Sequence, residues 1–300
     1  MSTITWDEIL NICEWINFPE IAVTALEEGY AKITQNPPSK WQTTVEEWLN
    51  PEADWQRCLK DLSVMSGEVG LSANMTRMLF FLYCAVPLRA EYEKRGLPET
   101  LYWETLQDLR YKLMECHNVK DEWGTFVPDW YRRFYVCERF ALGRLQYEQI
   151  PFPFEGYKNL LKKGDMVLSC HIPSSGALRE NDVLESLKKA YEFYQAECMD
   201  GLLPITCHSW LLYQPLEEVF ADSPNVQKFR NMFDVIQNDA DKTNEDFWRV
   251  FYQEFSEETL KNAPTETKLQ KRLKNYLLEG NTLGYGWGVL LFDGEKIRNR

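Results

Sequence analysis

The sequence predicts an α+β protein in two parts, a helical N-terminal half followed by a mixed β-sheet with flanking helices. Three observations predict it. Up to about residue 125, apolar residues recur at helical spacing. From Trp130 onward, aromatic and β-branched residues alternate with polar ones. From Met166 onward, short apolar runs alternate with amphipathic stretches, the order expected of a strand–helix–strand crossover. The domains are therefore expected at 1–125 and 126–300.

In the first half, Trp6, Ile9, Leu10, Ile12, Cys13 and Ile16 share a helical face after Thr5, a cap residue. Similar patterns cover Pro19–Lys32, Val45–Leu49, Asp54–Ser66, Met75–Arg95 and Glu99–Cys116. Breaks fall at Asn36-Pro37-Pro38, Asn50-Pro51 and Gly96-Leu97-Pro98. The longest apolar run, Met78–Leu88, is about half a membrane span, ends near Pro87 and reads as a buried helix.

In the second half, two strands are expected at Arg133–Ala141 and Gly143–Gln149, with Gly143 at their turn. Next come a strand at Met166–Ile172, a helix at Asp182–Cys198 and a strand at Leu203–Ser209. Trp210–Phe220 reads as helical, Phe233–Gln237 as a strand, Phe247–Phe255 and Thr267–Glu279 as helices, and Thr282–Phe292 as a closing strand. A hairpin implies antiparallel neighbours, and the crossover implies one parallel pair, Met166–Ile172 beside Leu203–Ser209. That pair is expected to splay at its C-terminal ends.

Composition narrows the partners. The formal net charge is −13, and no basic run offers a nucleic-acid face. The first residues, Met1 to Asp7, have neither the basic nor the apolar region of a signal peptide, and no membrane partner is expected. Eight cysteines without a Cys-x-x-Cys pair read as buried thiols in a reducing, cytoplasmic setting. No oligomeric state is implied.

The stretch Met166-Val-Leu-Ser-Cys-His-Ile-Pro-Ser-Ser-Gly-Ala-Leu178 is the most informative. A strand, a small-residue loop and a helix N-terminus gather backbone N–H groups where the helix dipole favours an anion such as a pyrophosphate. Ile172, Ser174, Ser175, Gly176, Ala177, Leu178 and Arg179 are the candidate binding residues, although the position of Glu180 beside Arg179 works against a direct phosphate contact.

The element order resembles the GNAT N-acyltransferase fold. The motifs resemble a bacterial family with an N-acyltransferase-like N-terminal domain and a GNAT-like C-terminal domain. The resemblance is carried by Trp130-Tyr-Arg-Arg-Phe-Tyr135, Leu142-Gly-Arg-Leu-Gln-Tyr-Glu148, His171-Ile-Pro-Ser-Ser-Gly-Ala-Leu178, Cys207-His-Ser-Trp-Leu-Leu212 and the run from Gly284 to Phe292. It implies a GNAT-like mixed sheet, acetyl-CoA or another acyl-CoA as co-substrate, and a small-molecule or peptide amine as acceptor. The loop Pro173-Ser-Ser-Gly-Ala-Leu178 departs from the Arg/Gln-x-x-Gly-x-Gly/Ala pattern of standard acetyltransferases, and Arg179-Glu-Asn181 stands where relatives carry Ser/Thr-Pro-Glu. A non-catalytic CoA- or acyl-binding module and a protein-interaction domain on a degenerate fold are the alternatives.

Candidate catalytic residues are His171, Tyr213 and Glu138. An imidazole at the strand end suits a general base, because its ordinary pKa of about 6.5 is close to neutral pH. The resemblance implies a tyrosine after the next strand as the acid for the leaving thiolate, and Tyr213 stands there. Strand alternation puts Glu138 with Phe140 and Leu142. Glu148 is a second carboxylate on the hairpin, and Arg144 is the expected partner of both. In the expected strands of the second half two Cys-His dipeptides, Cys170-His171 and Cys207-His208, hold two of the three histidines. Strand neighbours point to opposite faces, so each dipeptide gives at most one ligand per face and no metal is expected. Cys207 as an acyl-accepting thiol would need a base in reach, and a buried, inert thiol is the plainer reading. Trp210, Trp248 and Trp287 are candidates to line an apolar acceptor pocket, against the commoner core role. Lys268, Lys271, Arg272 and Lys274 read as a solvated helix face.

Overall fold

Thr5 caps the first helix, α1 (Trp6–Trp15), reciprocally. Its hydroxyl accepts from the Glu8 N–H, and the Glu8 carboxylate accepts from the Thr5 N–H at 2.7 Å. This computed structural model describes residues 4–299 and divides into two units, Met1–Phe140 and Ala141–Arg300.

The first unit continues with α2 (Glu20–Gln35), α3 (Trp41–Leu49), α4 (Trp55–Val69), α5 (Ala73–Lys94), α6 (Glu99–Lys120) and α7 (Arg132–Tyr135). Helix α5 is the central element and packs against α1, α2, α3, α4 and α6. Its apolar run is buried as expected, but the helix passes through Pro87 and ends only at Lys94. No single helix among the described residues is long and apolar enough to cross a membrane.

Aromatic rings hold this unit together. The centroid of Trp48 lies 5.3 Å from that of Phe81, and Phe81 lies 4.5 Å from Tyr131. Tyr135 donates its hydroxyl to the Phe81 carbonyl at 2.5 Å. Arg132, 7% exposed, donates to the Trp48, Asn50 and Pro51 carbonyls and so closes the C-terminal end of α3. These contacts make helix of the first part of the strand expected at Arg133–Ala141, of which Arg139, Phe140 and Ala141 remain strand. Tyr131, Phe134 and Tyr135 fit helical spacing as well as alternation, and burial against α5 selects the helix.

The second unit is built on a six-stranded sheet. Its strands are β1 (Arg139–Leu142), β2 (Leu145–Pro151), β5 (Met166–His171), β6 (Leu203–Ser209), β7 (Asp234–Asp241) and β8 (Leu283–Phe292), in the spatial order β1-β2-β5-β6-β8-β7. A separate hairpin, β3 (Gly156–Tyr157) with β4 (Leu161–Lys162), was not foreseen. Helices α8 (Glu180–Phe193), α9 (Pro224–Arg230), α10 (Trp248–Phe251), α11 (Glu257–Asn262) and α12 (Lys268–Leu278) complete the unit.

Strands β5 and β6 are parallel, while β2–β5, β6–β8 and β7–β8 are antiparallel. One central parallel pair in a mixed sheet is the predicted topology. Its register joins Leu168 to Ile205 and Ser169 to Thr206, whereas the strands run on to His171 and Ser209. The pairing therefore stops short of the C-terminal ends, where splaying was expected.

Three element readings need correction. The Trp210–Phe220 helix is instead two short 3₁₀ turns, Trp210–Leu212 and Gln214–Leu216, because Pro215 has no N–H to continue a helix. The strand expected at Phe233–Gln237 runs from Asp234 to Asp241, with a bulge between Val235 and Gln237. The helix expected at Phe247–Phe255 stops at Phe251, where Tyr252 takes a left-handed conformation.

Register fixes the two faces of the sheet. Tyr147, Cys170, Cys207 and Gly288 share the face that meets α8, because Tyr147 reaches Ser186 of that helix. Gln146, His171, His208, Trp287 and Gln237 share the other. On this second face the β3–β4 hairpin covers one end, where Phe152, Tyr157 and Leu161 pack with Val167, Val289 and Leu291.

Candidate functional site

The β1–β2 hairpin turns on two residues, Gly143 and Arg144. A turn this tight needs a positive φ at its first position, and Gly143 supplies +76°. Ser186 on α8 holds the turn by donating to the Leu142 carbonyl at 2.6 Å and accepting from the Leu145 N–H at 3.1 Å.

Arg144 is thereby aimed at the loop after β5. Its guanidinium donates to the carbonyls of Pro173 (3.1 Å), Gly176 (2.6 Å) and Ala177 (3.2 Å). Arg144, expected beside Glu138 and Glu148, thus also shapes a loop. One side chain holds three carbonyls of the loop. Ser174, Ser175, Gly176, Ala177 and Arg179 are exposed, Ile172 is half-buried and Leu178 is buried. The Ser175 N–H is already donated to the Pro173 carbonyl at 2.8 Å.

Helix α8 starts at Glu180, two residues earlier than expected. Its N-cap is Arg179, whose side chain makes no capping bond. Glu180 pairs with Lys228 of α9 at 2.7 Å, which offsets the carboxylate that stood against an anion here.

At the end of β5, His171 Nε2 lies 2.9 Å from Glu148 Oε1 of β2. The His171 side chain is 19% exposed and that of Glu148 is 7% exposed. A carboxylate so placed orients an imidazole and stabilises its protonated form. On the opposite face, Cys170 and Cys207 are each 1% exposed. A hydrogen bond that the Cys170 thiol donates to Cys207, with burial, pushes it well above its ordinary range. All eight cysteines are free, and seven are buried. Among the described residues no cluster of three or more histidine, cysteine or acidic side chains is arranged to hold a metal.

The other candidates are dispersed. Glu138 precedes β1, is exposed and faces Arg133 at 3.6 Å within the first unit, so the strand alternation that grouped it with Phe140 and Leu142 does not reach it. Tyr213 is 7% exposed and lies over Gly284, where an added Cβ would meet its ring at 2.7 Å. His208 stacks on Trp287 with centroids 4.3 Å apart. Trp210 packs on Phe220, and Trp248 carries the Arg249 guanidinium at 4.5 Å. On α12, Arg272 and Lys268 pair with Asp222 at 2.8 and 3.7 Å.

Comparison with known proteins agrees with this architecture. The N-acyltransferase N-terminal domain model matches residues 7–137, and the GNAT-like C-terminal domain model matches residues 140–290. Among curated proteins no sequence matches. An acyltransferase solved in complex with decanoyl-CoA is 21% identical with a TM-score of 0.70, over 94% of this chain and 87% of that one. A mutant acyltransferase in complex with octanoyl-CoA is 19% identical with a TM-score of 0.68, over 94% and 87%. An acyltransferase in complex with decanoyl-CoA and teicoplanin is 18% identical with a TM-score of 0.63, over 94% and 98%. At these identities the likeness to the solved structures is one of fold. The family models span nearly the whole chain, which belongs to the family of acyltransferases that join an N-acyltransferase N-terminal domain to a GNAT-like C-terminal domain.

Proposed function

We propose that this protein transfers an acyl group from acyl-CoA to an amine, with the His171–Glu148 pair taking the amine's proton. The observation that carries the reading is the 2.9 Å contact between these side chains at the end of β5, where parallel pairing stops. A slot between parting strands exposes backbone groups to which a pantetheine arm hydrogen-bonds like an added strand.

The Pro173–Leu178 loop and the first turn of α8 receive the pyrophosphate. The donors are the N–H groups of Gly176, Ala177 and Leu178, with Ser174, Ser175 and Ile172 shaping the approach and Arg179 meeting a phosphate. Solved neighbours are described with octanoyl-CoA and decanoyl-CoA, which favours a longer acyl group over acetyl. One neighbour is described with teicoplanin, a glycopeptide, which suits a small-molecule amine acceptor. The acidic chain and its free thiols suit work in the cytoplasm.

The reaction balances as follows. An acceptor amine arrives as an ammonium ion and gives one proton to His171, whose imidazolium Glu148 stabilises. The neutral nitrogen adds to the thioester carbonyl, so a C–N bond forms and the C–S bond breaks. The second nitrogen-bound proton passes to the departing thiolate, and Tyr213, which lies over Gly284 on the face of the sheet opposite to His171, takes no part in the step.

The test combines calorimetric titration with CoA and thiol release from octanoyl-CoA over a panel of primary amines. Binding with amine-dependent thiol release is expected. Binding without release points to the non-catalytic module, and no binding sinks both readings. Tyr213→Phe keeps the packing over Gly284 and removes only the hydroxyl. Its turnover should stay near that of the parent chain, and a loss of ~10²–10⁴ at unchanged melting temperature would restore an acid role to Tyr213.

A further inference from the structure

We infer that the open face at the C-terminal ends of β6 and β8 seats the acceptor, and that this acceptor is a cationic amine carrying an aromatic ring. The inference rests on the acyl-transfer reading and adds the acceptor's chemical class.

The sheet register sets one row of side chains across the strands. Gln146 opposes His171, His208 opposes Trp287, and Trp287 opposes Gln237. His171 and His208 each stand two residues beyond the paired Ser169 and Thr206, so they adjoin in the row. The catalytic pair and Trp287 are thus two strands apart on one face, at least ~10 Å because β5 and β6 are no longer paired there.

Aromatic rings gather at the far end of that row. His208 stacks on Trp287 with a tilt of 23°, and its centroid is 5.0 Å from that of Tyr285. Phe154 meets the Trp287 ring edge-on at 5.4 Å. His208 is exposed, and Tyr285 and Trp287 are only half-buried. Ordinary core packing does not account for this, because the β3–β4 hairpin that covers the apolar end of the face closes over Val289 and Leu291 instead. A flat platform left open beside a base suits a ring.

Carboxylates rim the platform. Asp239 opposes Tyr285 across β7–β8, and Asp241, Glu245 and Asp246 act electrostatically on the Tyr285 phenol. Asp239 and Asp246 act in the same way on His208. Arg249 offsets one of these through its 2.7 Å contact with Asp246. With Glu148 at the other end, the row is acidic at both ends and aromatic between them. Such a field draws a cation and repels an anionic acceptor. The ring lies on His208 and Trp287, and the ammonium points along the row to His171.

The test is direct binding by the full-length chain, read by calorimetry, of phenethylamine, cyclohexylethylamine, hexylamine and phenylpropionate. Phenethylamine should bind at least tenfold tighter than hexylamine and tighter than the saturated ring, and phenylpropionate should bind weakest. Trp287→Leu should abolish the ring preference. Asp239→Asn should weaken all three amines and narrow the gap to phenylpropionate. His208→Ala, which changes an exposed position, serves where Trp287→Leu melts early. Equal binding of the three amines, absence of amine binding, or a ring preference that survives these substitutions would overturn the inference. Thiol release from octanoyl-CoA is read separately. Release without ring preference sinks this inference alone, and ring-selective binding without release sinks the catalytic reading alone.

Discussion

Cys170-His171 and Cys207-His208 end neighbouring parallel strands with the same two residue types, and both histidines face the same side of the sheet. Their surroundings separate them. Across β2, His171 finds the buried carboxylate of Glu148; across β8, His208 finds the ring of Trp287. One imidazole is held by charge and is suited to carry a proton. The other is held by stacking, and the cost of removing water lowers its pKa. The role of each histidine is therefore set by a side chain on the next strand, diagonal to His171 for Glu148 and directly opposite His208 for Trp287, 23 and 79 positions away in sequence.

The largest effect that would break this contrast is kinetic. His171→Ala and Glu148→Gln should each lower turnover with octanoyl-CoA and amine by ~10²–10⁴, with CoA affinity nearly unchanged. His208→Ala should leave turnover at saturating amine within severalfold and act on the acceptor KM. Equal losses in turnover from both histidines would erase the distinction, and melting temperatures measured alongside separate chemistry from packing.

A smaller effect sharpens the picture at the phosphate loop. Arg144→Gln removes the three bonds that turn the Pro173, Gly176 and Ala177 carbonyls aside. CoA should bind about tenfold more weakly, ~1.4 kcal/mol, as read by calorimetry. Unchanged affinity would show that the loop keeps its form unaided. Arg144 is a better probe than Gly176, whose φ of +104° would strain any side-chain-bearing residue before a ligand arrived.

The smallest effect is thermodynamic. The His208 pKa is lowered in the folded state, so the fold favours its neutral form. That contribution is complete above the unfolded value of ~6.5 and is lost as pH falls through the lowered folded value. His208→Gln should therefore lose less stability than the parent chain on acidification, in chemical denaturation series at stepped pH. A parallel pH dependence in both would contradict the stacked, desolvated histidine.

Much of this architecture was legible locally. The alternation around Gly143, the Met166–His171 strand and the glycine-marked loop each depend on neighbouring residues, and the crossover rule then dictated the parallel pair. The misreadings came where two periods coincide or where partners are distant. Tyr131, Phe134 and Tyr135 suit a strand or a helix equally until α5 is placed against them. Arg144 had two nearby carboxylates in sequence but three loop carbonyls in space, 29 to 33 residues on. Glu148 was recognisable as a carboxylate on the hairpin, yet its tie to His171 exists only through the β2–β5 register.

Strand β8 carries glycine at 284, 286 and 288, all turned to the same face of the sheet. The Trp210–Leu212 turn, Tyr213 and Phe233 lie directly against that bare backbone, and a Cβ at Gly288 would sit 2.7 Å from Leu212 and 2.8 Å from Phe233. The strand is a one-sided page. On its blank side the covering segment leaves no room for a methyl group, so mutation has nothing to offer selection there. Between the glycines, Tyr285 and Trp287 project to the other side, where they are only half-buried. A substitution on this strand is thereby confined to the side where Tyr285 and Trp287 stand, and the backbone packed too tightly to vary is the fixed frame that carries them.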